Sequence, residues 1–270
     1  MNRQISSVSK AQSGGPPALI THENRQSLAP FVLFDAGAMN KNDWLSIDWH
    51  PHSGVATVTL PYDCHLHHAD SAGNTGIIRD GGMQWMASGN GIWHKEEYEP
   101  IDGRIGIHQL WILLPPQEET APVNYFNLQP QNIPSIGNTR ILLGEYQGQS
   151  SATAISQDVN YFEVRLGAGE SWQYAPPDSQ TRGFVFPRNG SITVEGIDIR
   201  SEEFGQFDEN NAPVKVTSNT GSTFVIGFAR PWEYPIVHEY GQMHTSQQAM
   251  QLGKKRIAEL RKNISEKSHA

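Results

Sequence analysis

The sequence has little that would stabilise it outside a reducing compartment or anchor it in a membrane. Among 270 residues there is one cysteine, Cys64, so no disulfide can form within the chain. No apolar run approaches the ~20 residues that a membrane-spanning helix needs. Residues 1–15 lack the apolar stretch of a secretory signal. Together these absences predict a cytoplasmic protein.

Positive charge is also scarce, with 20 Lys and Arg against 28 Asp and Glu and a formal net charge of −8. Because nucleic-acid binding relies on basic surfaces that neutralise phosphate, we expect no nucleic-acid partner. Residues 253–267 are the exception, since six Lys or Arg and two Glu give a local charge of +4. Such a segment is ordinarily a solvated helix face, and the alternative is a docking surface for an acidic protein partner.

Short β-rich runs separated by Gly, Pro, Asn and Asp dominate the chain, and helical periodicity is almost absent before its end. Strands at this spacing indicate an all-β sandwich or barrel. In the first forty residues we expect at least one strand near Phe31 and otherwise irregular structure. The predicted strands are Phe31–Phe34, Val55–Leu60, Gly76–Arg79, Met83–Met86, Ile105–Leu114, Thr139–Tyr146, Asn160–Leu166, Gly183–Pro187, Ser191–Val194 and Ser222–Phe228.

The C-terminus predicts one amphipathic helix lying against a barrel. Thr245–Gln248 fits a capping box, and four apolar residues then fall on one helical face, namely Met250, Ile257, Leu260 and Ile264. Polar, proline-rich sequence interrupts the β pattern between Pro115 and Pro134. We therefore predict two β-domains, residues 1–132 and residues 133–270, with the helix in the second.

Histidine is unevenly distributed: six of the eleven fall in one stretch of the first half, and none occurs between residues 109 and 237. His50 and His52 are two positions apart, as are His94 and Glu96. On an extended backbone residues i and i+2 point to the same face, so each pair can present both ligands to one ion. Three imidazoles and a carboxylate suit iron, manganese, nickel, cobalt, copper or zinc, whereas a structural zinc is usually closed by cysteines.

A competing cluster is Cys64-His65-Leu66-His67-His68. In a strand His65 and His67 share one face, while Cys64, Leu66 and His68 share the other. One interpretation is a second metal site. The other is that some of these rings line a cavity or face solvent and that Cys64 is a small buried hydrophobic residue.

Several blocks of this sequence resemble the pirin family of the cupin superfamily. His50–Thr59 is similar to the pirin pattern H-P-H-R-G-F-E-T-V-T, and His68–Arg79 to H-x-D-S-x-G-N-x-G-x-I-R. Met83–Glu96 is similar to V-Q-W-M-x-A-G-x-G-I-x-H-S-E. The agreement continues through Gln109–Pro115, and Pro30–Asp35 upstream and Pro235–Gly241 near the end also resemble pirin stretches. Strong matching covers residues 30 to 115.

The resemblance implies a bicupin, with two antiparallel jelly-roll β-barrels face to face and iron held only in the first. The family's three His and one Glu ligands fall on His50, His52, His94 and Glu96, with Fe(II) as the implied metal. The chain departs from the pattern where pirins carry Arg, Phe and Glu after H-P-H, and the residues here are Ser53, Val55 and Ala56. The family's E-G-E-V-E-H is likewise replaced by Asp63–His68. These departures bear on substrate selection.

The resemblance implies two roles of different class. Some bacterial pirins are quercetin 2,3-dioxygenases, which predicts a metal-dependent enzyme that acts with dioxygen on a flavonol or a related small aromatic. In that case Glu96 accepts the substrate's hydroxyl proton, and four residues either line the pocket or simply pack the core, namely Met83, Trp85, Met86 and Trp93. Eukaryotic pirins are iron-dependent cofactors of transcription factors, which predicts a protein-binding pirin without turnover. A third hypothesis is a cupin for an unrelated small molecule.

Overall fold

Strands dominate the structure because runs of β-branched and aromatic residues alternate with turn-forming residues. The computed structural model describes residues 2–10 and 18–267. The elements of its first half are β1 (Ile5–Lys10), β2 (Ala18–Ile20), α1 (Arg25–Leu28), β3 (Phe31–Asn40), β4 (Leu45–His52), β5 (Val55–Tyr62), β6 (Cys64–Asp70), β7 (Thr75–Ile78), β8 (Met83–Ala87), β9 (Ile92–Pro100), β10 (Arg104–Leu113), β11 (Asn124–Leu128) and a 3-10 turn (Pro130–Asn132).

The second half continues this pattern up to a single long helix. Its elements are β12 (Ser135–Ile136), β13 (Thr139–Leu143), β14 (Glu145–Tyr146), β15 (Gln149–Ser150), β16 (Val159–Leu166), β17 (Glu170–Tyr174), β18 (Arg182–Val194), β19 (Ile197–Arg200), β20 (Glu203–Phe207), β21 (Val214–Ser218), β22 (Ser222–Ala229), β23 (Val237–Glu239), β24 (Gln242–His244) and α2 (Gln247–Lys267). Each predicted run lies within one of these strands or overlaps it closely, except that Thr139–Tyr146 divides between β13 and β14.

Two compact units make up the described chain. Unit 1 comprises Met1–Asp35 and Asn132–Trp232, and unit 2 comprises Ala36–Gln131 and Glu233–Ala270, as far as these ranges are described. One change of unit falls beside the expected boundary after residue 132, but the two chain ends are grouped with the opposite halves. The domains 1–132 and 133–270 stay a prediction.

Unit 1 is built on one large antiparallel sheet. Its main strand order is β1-β20-β18-β22-β16-β13-β12, and β17, β19 and β21 attach to it through β18. The inward side chains form an apolar core that includes Phe162, Val185 and Ile226. Arg3 is buried beside this core, where Nε donates to the Asp208 carbonyl at 2.9 Å and the guanidinium lies 5.2 Å from the Phe207 ring centroid.

The expectation of irregular structure before Phe31 is therefore wrong. β1 pairs with β20 over Ile5–Lys10, and β2 pairs with β3. Ile5 is the one apolar inward residue of β1 that is buried, so this polar strand shows almost no alternation that a pattern search could detect. Residues 11–17 of the expected irregular segment lie outside the described residues.

Unit 2 presents two groups of antiparallel strands. One sheet has the order β4-β9-β6-β7, and in the other group β11, β8, β5 and β10 lie side by side in that order. In β6 and β9 alternate residues are buried, which gives each strand one inward and one outward face. One small apolar cluster of this unit contains Cys64, Leu66, Ile78, Tyr98 and Ile105.

The C-terminal helix is confirmed, with its start shifted by one residue from the predicted cap. The hydroxyl of Ser246, not that of Thr245, accepts the N–H of Ala249 at 3.1 Å, as an N-cap residue does. The predicted apolar face is buried at Met250, Ile257 and Leu260. No helix in the described part of the chain is long and apolar enough to cross a membrane.

The mainly antiparallel all-β architecture with one C-terminal helix is thus confirmed. Within residues 2–10 and 18–267 no sheet closes on itself into a barrel. The paired jelly-roll barrels of a bicupin therefore stay a prediction.

Candidate metal centre

Strand register brings the three predicted histidines together in unit 2. His50 lies opposite His94 in the β4–β9 pair, and His52 follows two residues later on the same face. The rings of His50 and His94 have centroids 4.2 Å apart, and His52 lies 5.0 and 4.9 Å from them. One ligand nitrogen from each ring can be chosen so that all three lie within 4.8 Å of one another, a group that could hold a metal ion.

Hydrogen bonds leave each of the three rings with a nitrogen available for a metal. His50 donates from Nδ1 to the Asp48 carbonyl at 2.8 Å, and His52 donates from Nδ1 to the Gly241 carbonyl at 3.0 Å. In both rings Nε2 is the remaining candidate ligand, an arrangement common among metal-binding histidines. Both ring nitrogens of His94 are buried without a hydrogen-bond partner.

The buried histidines are held in the neutral form that metal binding requires. Burial, with a smaller contribution from the neighbouring His50, lowers the pKa of His52 to about 3 against a weak opposing effect of the Gly241 hydrogen bond. Burial and the adjacent imidazoles also lower the pKa of His94 well below its usual value. The donor set and its protonation therefore fit a divalent metal.

Glu96 shares the histidine face but is not in the three-histidine group. It lies opposite His68 in the β9–β6 pair, two residues from His94, and it is buried. Burial raises the pKa of Glu96, against weaker opposing effects of His50, His68 and hydrogen bonds from Tyr98 and Gln109. Its role as the fourth ligand stays a prediction.

A glutamine and a tryptophan on β10 orient this carboxylate. Trp111 donates from Nε1 to Oε1 of Gln109 at 2.9 Å, which turns the Gln109 amide nitrogen towards Glu96. That nitrogen lies 3.4 and 3.5 Å from the two Glu96 oxygens. The Trp111 ring also lies 4.7 Å from the His52 ring. Sequence reasoning missed both residues, although Gln109–Pro115 was among the pirin-like stretches.

The same register identifies the face that lies against the histidines. Thr57 of β5 lies opposite both Trp111 of β10 and Met86 of β8, and Met86 lies opposite Tyr125 of β11, so all four share a face. The hydroxyl of Thr57 is buried there without a partner. Unit 2 therefore has a partly polar interior on this side of the sheet.

Among the four proposed pocket residues, only Met86 is on that face. Met83 and Trp85 point to the opposite face of β8, where Trp85 stacks on Phe126. Trp93 points away from the histidines and donates from its indole nitrogen to the Ile257 carbonyl of α2 at 2.9 Å. For these three residues the structure favours ordinary packing.

The competing cluster on β6 divides between its two faces as predicted. Cys64, Leu66 and His68 are buried, whereas His65 and His67 point outwards, and His67 pairs with Glu99. Burial raises the pKa of the Cys64 thiol to about 11, so this residue is an unreactive core cysteine. In the described part of the chain, the candidate metal group is the one formed by His50, His52 and His94.

His68, a member of the competing cluster, is a neighbour of the candidate site. Its ring stacks on Tyr125 at 4.7 Å and lies 5.4 Å from the His94 ring. Its Nε2 is 3.5 Å from the carboxylate of Asp70, which also accepts three hydrogen bonds from Ala72 and Asn74. Burial tends to raise the pKa of Asp70, but the interactions with His68 and the hydrogen bonds from Asn74 outweigh it and lower the pKa. Asp70 is therefore an ionised partner for His68.

A second buried network joins the end of β4 to the C-terminal hairpin. Ser53 Oγ lies 2.8 Å from Nε2 of His244, whose Nδ1 lies 3.1 Å from Oε2 of Glu119. The same carboxylate accepts the backbone N–H of Thr245 at 2.7 Å. No short sequence motif connects these residues, because Ser53 and His244 are 191 positions apart.

A cavity of about 820 Å³ lies in unit 1. Its wall comes mainly from the segment 144–160 and from residues 174–177. None of the described residues that line it is a histidine or a cysteine. It is therefore distinct from the metal centre.

Comparison with known proteins finds similarity to one family. The Pirin family model matches residues 11–112. A Pseudomonas aeruginosa relative named "Putative quercetin 2,3-dioxygenase PA3240" is 28% identical over 227 residues, which cover 78% of this chain and 79% of the relative. A "Pirin-like protein" of Solanum lycopersicum is 28% identical over 268 residues, which cover 90% and 87%. Residues 11–112 thus match the pirin family, and the similar proteins carry pirin-like or putative quercetin 2,3-dioxygenase names.

Solved structures share the fold of this chain. A quercetin 2,3-dioxygenase from Acinetobacter baumannii superposes with a TM-score of 0.84 at 22% identity, covering 93% of this chain and 95% of that one. The Escherichia coli bacterial pirin YhhW, solved in complex with nickel(II), gives a TM-score of 0.65 at 17% identity and covers 85% and 96%. At these identities the likeness is one of fold.

Proposed function

We propose that this protein is a metal-dependent dioxygenase that acts on a flavonol such as quercetin or on a related small aromatic. The observation that carries the proposal is the group of three imidazoles in unit 2, each with a nitrogen available for a metal. The names of the Pseudomonas and Acinetobacter relatives support the substrate class.

The metal would be held by His50, His52, His94 and Glu96. His50 and His52 would bind through Nε2, because their Nδ1 atoms are engaged by backbone carbonyls. Fe(II) suits this set of three nitrogens and one oxygen, and nickel is an alternative because a bacterial pirin was solved with it. When bound, such a metal supplies Lewis-acid activation of a substrate oxygen and a site for dioxygen.

The surrounding residues supply proton transfer and a wall for an aromatic ring. Because burial raises the pKa of Glu96, its carboxylate is a stronger base than an exposed one and is suited to accept a substrate hydroxyl proton. Gln109 orients that carboxylate through the contacts described above. Trp111 and Met86 offer apolar surface on the facing strands, beside the metal ligand His52.

The decisive experiment is an aerobic assay of the iron-loaded protein with quercetin, followed by loss of the flavonol absorbance. We expect His50→Ala and Glu96→Ala to lower kcat/KM by at least ~100-fold, because each removes a group in contact with the reacting atoms. His65→Ala is the matched control, since His65 points away from the site and should leave turnover unchanged. Full activity of the His50 and Glu96 variants would contradict the proposed site.

A protein-binding pirin without turnover is the second candidate. It is favoured by the basic outer surface of α2, where Lys254, Lys255, Arg256, Arg261 and Lys262 are all exposed. Stoichiometric iron without flavonol turnover, together with salt-sensitive capture of an acidic protein through this surface, would favour this role.

A further inference from the structure

The trio Ser53, His244 and Glu119 has the connectivity of a serine–histidine–acid relay. Ser53 Oγ, the His244 ring and the Glu119 carboxylate are joined by contacts of 2.8 and 3.1 Å. However, these residues are only 0%, 1% and 2% exposed, so a substrate has no access to the hydroxyl. Such a relay cannot supply a nucleophile in this fold, and its role must be to hold neighbouring structural elements together.

The relay holds the β23–β24 hairpin against the end of β4. Ser53 forms a parallel bridge to Gln242 and accepts the backbone N–H of Met243 at 3.1 Å. Its hydroxyl also lies 3.2 Å from the Gln242 side-chain oxygen. His244 is the last residue of the hairpin, so Glu119 fixes the far end of the same element through His244 and Thr245.

The tip of this hairpin touches the metal centre. Gly241 has φ +69°, and its carbonyl accepts the Nδ1–H of His52 at 3.0 Å. A Cβ at Gly241 would lie 2.7 Å from the Pro51 carbonyl oxygen, so only glycine permits this approach. The position of the hairpin therefore decides which way the His52 ring faces and which nitrogen it leaves for a metal.

We propose that Ser53, His244 and Glu119 form a clamp that seats the hairpin so that the Gly241 carbonyl positions His52 for metal binding. This inference rests on the proposed metal site. Glu119 suits the role of anchor: burial tends to raise its pKa, but hydrogen bonds from His244 and Thr245 outweigh it and lower the pKa. It is therefore a fixed negative charge for two donors of the hairpin and helix start.

Helix α2 packs directly over the clamp, which explains one departure from the pirin pattern. A Cβ on Gly253 would lie 2.5 Å from Ser53 Oγ and 2.7 Å from His244 Nε2. A side chain as long as the family's arginine would not fit at position 53 beneath this helix. In this chain Ser53, His244 and Gly253 therefore form one set, in which a short hydroxyl replaces the arginine and binds the hairpin.

The test is the Co(II) affinity of the purified full-length protein, measured by competition with a chelator, together with the visible spectrum of the bound Co(II). We expect Ser53→Ala and Gly241→Ala each to weaken Co(II) binding about 10- to 100-fold, the usual effect of losing an outer-sphere partner. Both should also shift the Co(II) absorption bands, because His52 is reoriented. A merely structural role would lower thermal stability and leave those bands unchanged.

Two matched controls separate positioning from general destabilisation. Ser88→Ala removes another buried serine of unit 2, whose hydroxyl hydrogen-bonds to the backbone N–H and carbonyl of Val55, at 3.1 and 2.6 Å, rather than to the hairpin. Gly196→Ala introduces the same left-handed strain at φ +82°, with no atom within 4 Å of the new Cβ. Both should keep the Co(II) affinity and spectrum of the unchanged protein.

The outcomes distinguish this inference from the proposed function. If the unchanged protein binds Co(II) and the Ser53 and Gly241 variants bind it equally tightly with the same spectrum, the clamp is refuted and the metal site stands. If the unchanged protein binds no Co(II), both are refuted. Should Ser53→Ala fail to fold, Glu119→Gln decides, because it removes the charge that anchors His244 and Thr245 and leaves Ser53, Gly241 and His52 in place.

Discussion

The metal-free protein should lose stability in acid because His52 is buried as a neutral ring. Its pKa falls from 6.5 to about 3 on folding, and a shift of that size corresponds to roughly 5 kcal/mol at 1.36 kcal/mol per pKa unit. For a base with a depressed folded pKa the stability is fully present above pH 6.5 and is lost as the pH falls towards 3. Replacing His52 by Asn removes the titrating group and retains an N–H that can reach the Gly241 carbonyl.

The assay is urea unfolding followed by circular dichroism, in chelator-treated buffers from pH 7.5 to pH 4.5. Between pH 6 and pH 4.5 the free energy of unfolding of the unchanged protein should fall by about 1.4 kcal/mol per pH unit more steeply than that of His52→Asn. The two proteins should run parallel above pH 7. Parallel curves down to pH 4.5 would refute the reasoning, since His52 would then titrate at its ordinary value.

Three further predictions concern single side chains. Burial raises the pKa of Asp35 from 3.8 to about 6, so the stability of the protein falls as the pH rises from 4 to 6. In the same urea assay, Asp35→Asn should raise the free energy of unfolding by up to ~3 kcal/mol above pH 6 and should leave it unchanged below pH 4. Because Cys64 is buried with its pKa raised to about 11, its alkylation by iodoacetamide at pH 8 should be at least ~100-fold slower than in the urea-unfolded chain; equal rates would contradict its core position. Trp111→Phe keeps an aromatic ring beside His52 but removes the hydrogen bond that holds the Gln109 amide. We therefore expect kcat/KM for quercetin to fall about 10-fold, while the iron affinity, measured by competition with a chelator, stays within about 3-fold of that of the unchanged protein.

Apolar patterns predicted the strands of the packed interior but not those that carry the site. Val55–Leu60 and Ser222–Phe228 are fully buried strands with continuous runs of β-forming residues, and both were predicted. β4, β6 and β9 were missed as strands because their inward positions hold His, Glu and Asp where alternation would require Val or Ile. There the spacing of ligand-type residues was the better guide to an extended backbone.

The candidate ligands could be predicted from the sequence, but their partners could not. The i, i+2 spacing of His50 with His52 is local information, and the structure brings both to His94. The carbonyl that orients His52 comes from Gly241, 189 residues away. Pairings of that kind depend on sheet register and on how the last hairpin seats, which no local pattern encodes.

The buried polar groups on the histidine face of unit 2 lower the stability of the metal-free fold. A sheet face filled as in the core of unit 1, with residues such as Phe162 and Ile226, would bury apolar surface at no polar cost. Here both ring nitrogens of His94 and the hydroxyl of Thr57 are buried without partners, and each unpaired polar group costs roughly 1–3 kcal/mol. A metal that engages His94 removes part of that cost, so the stability lost in the metal-free protein returns as binding free energy. The same unpaired nitrogens that weaken the empty fold are therefore those that favour a bound metal.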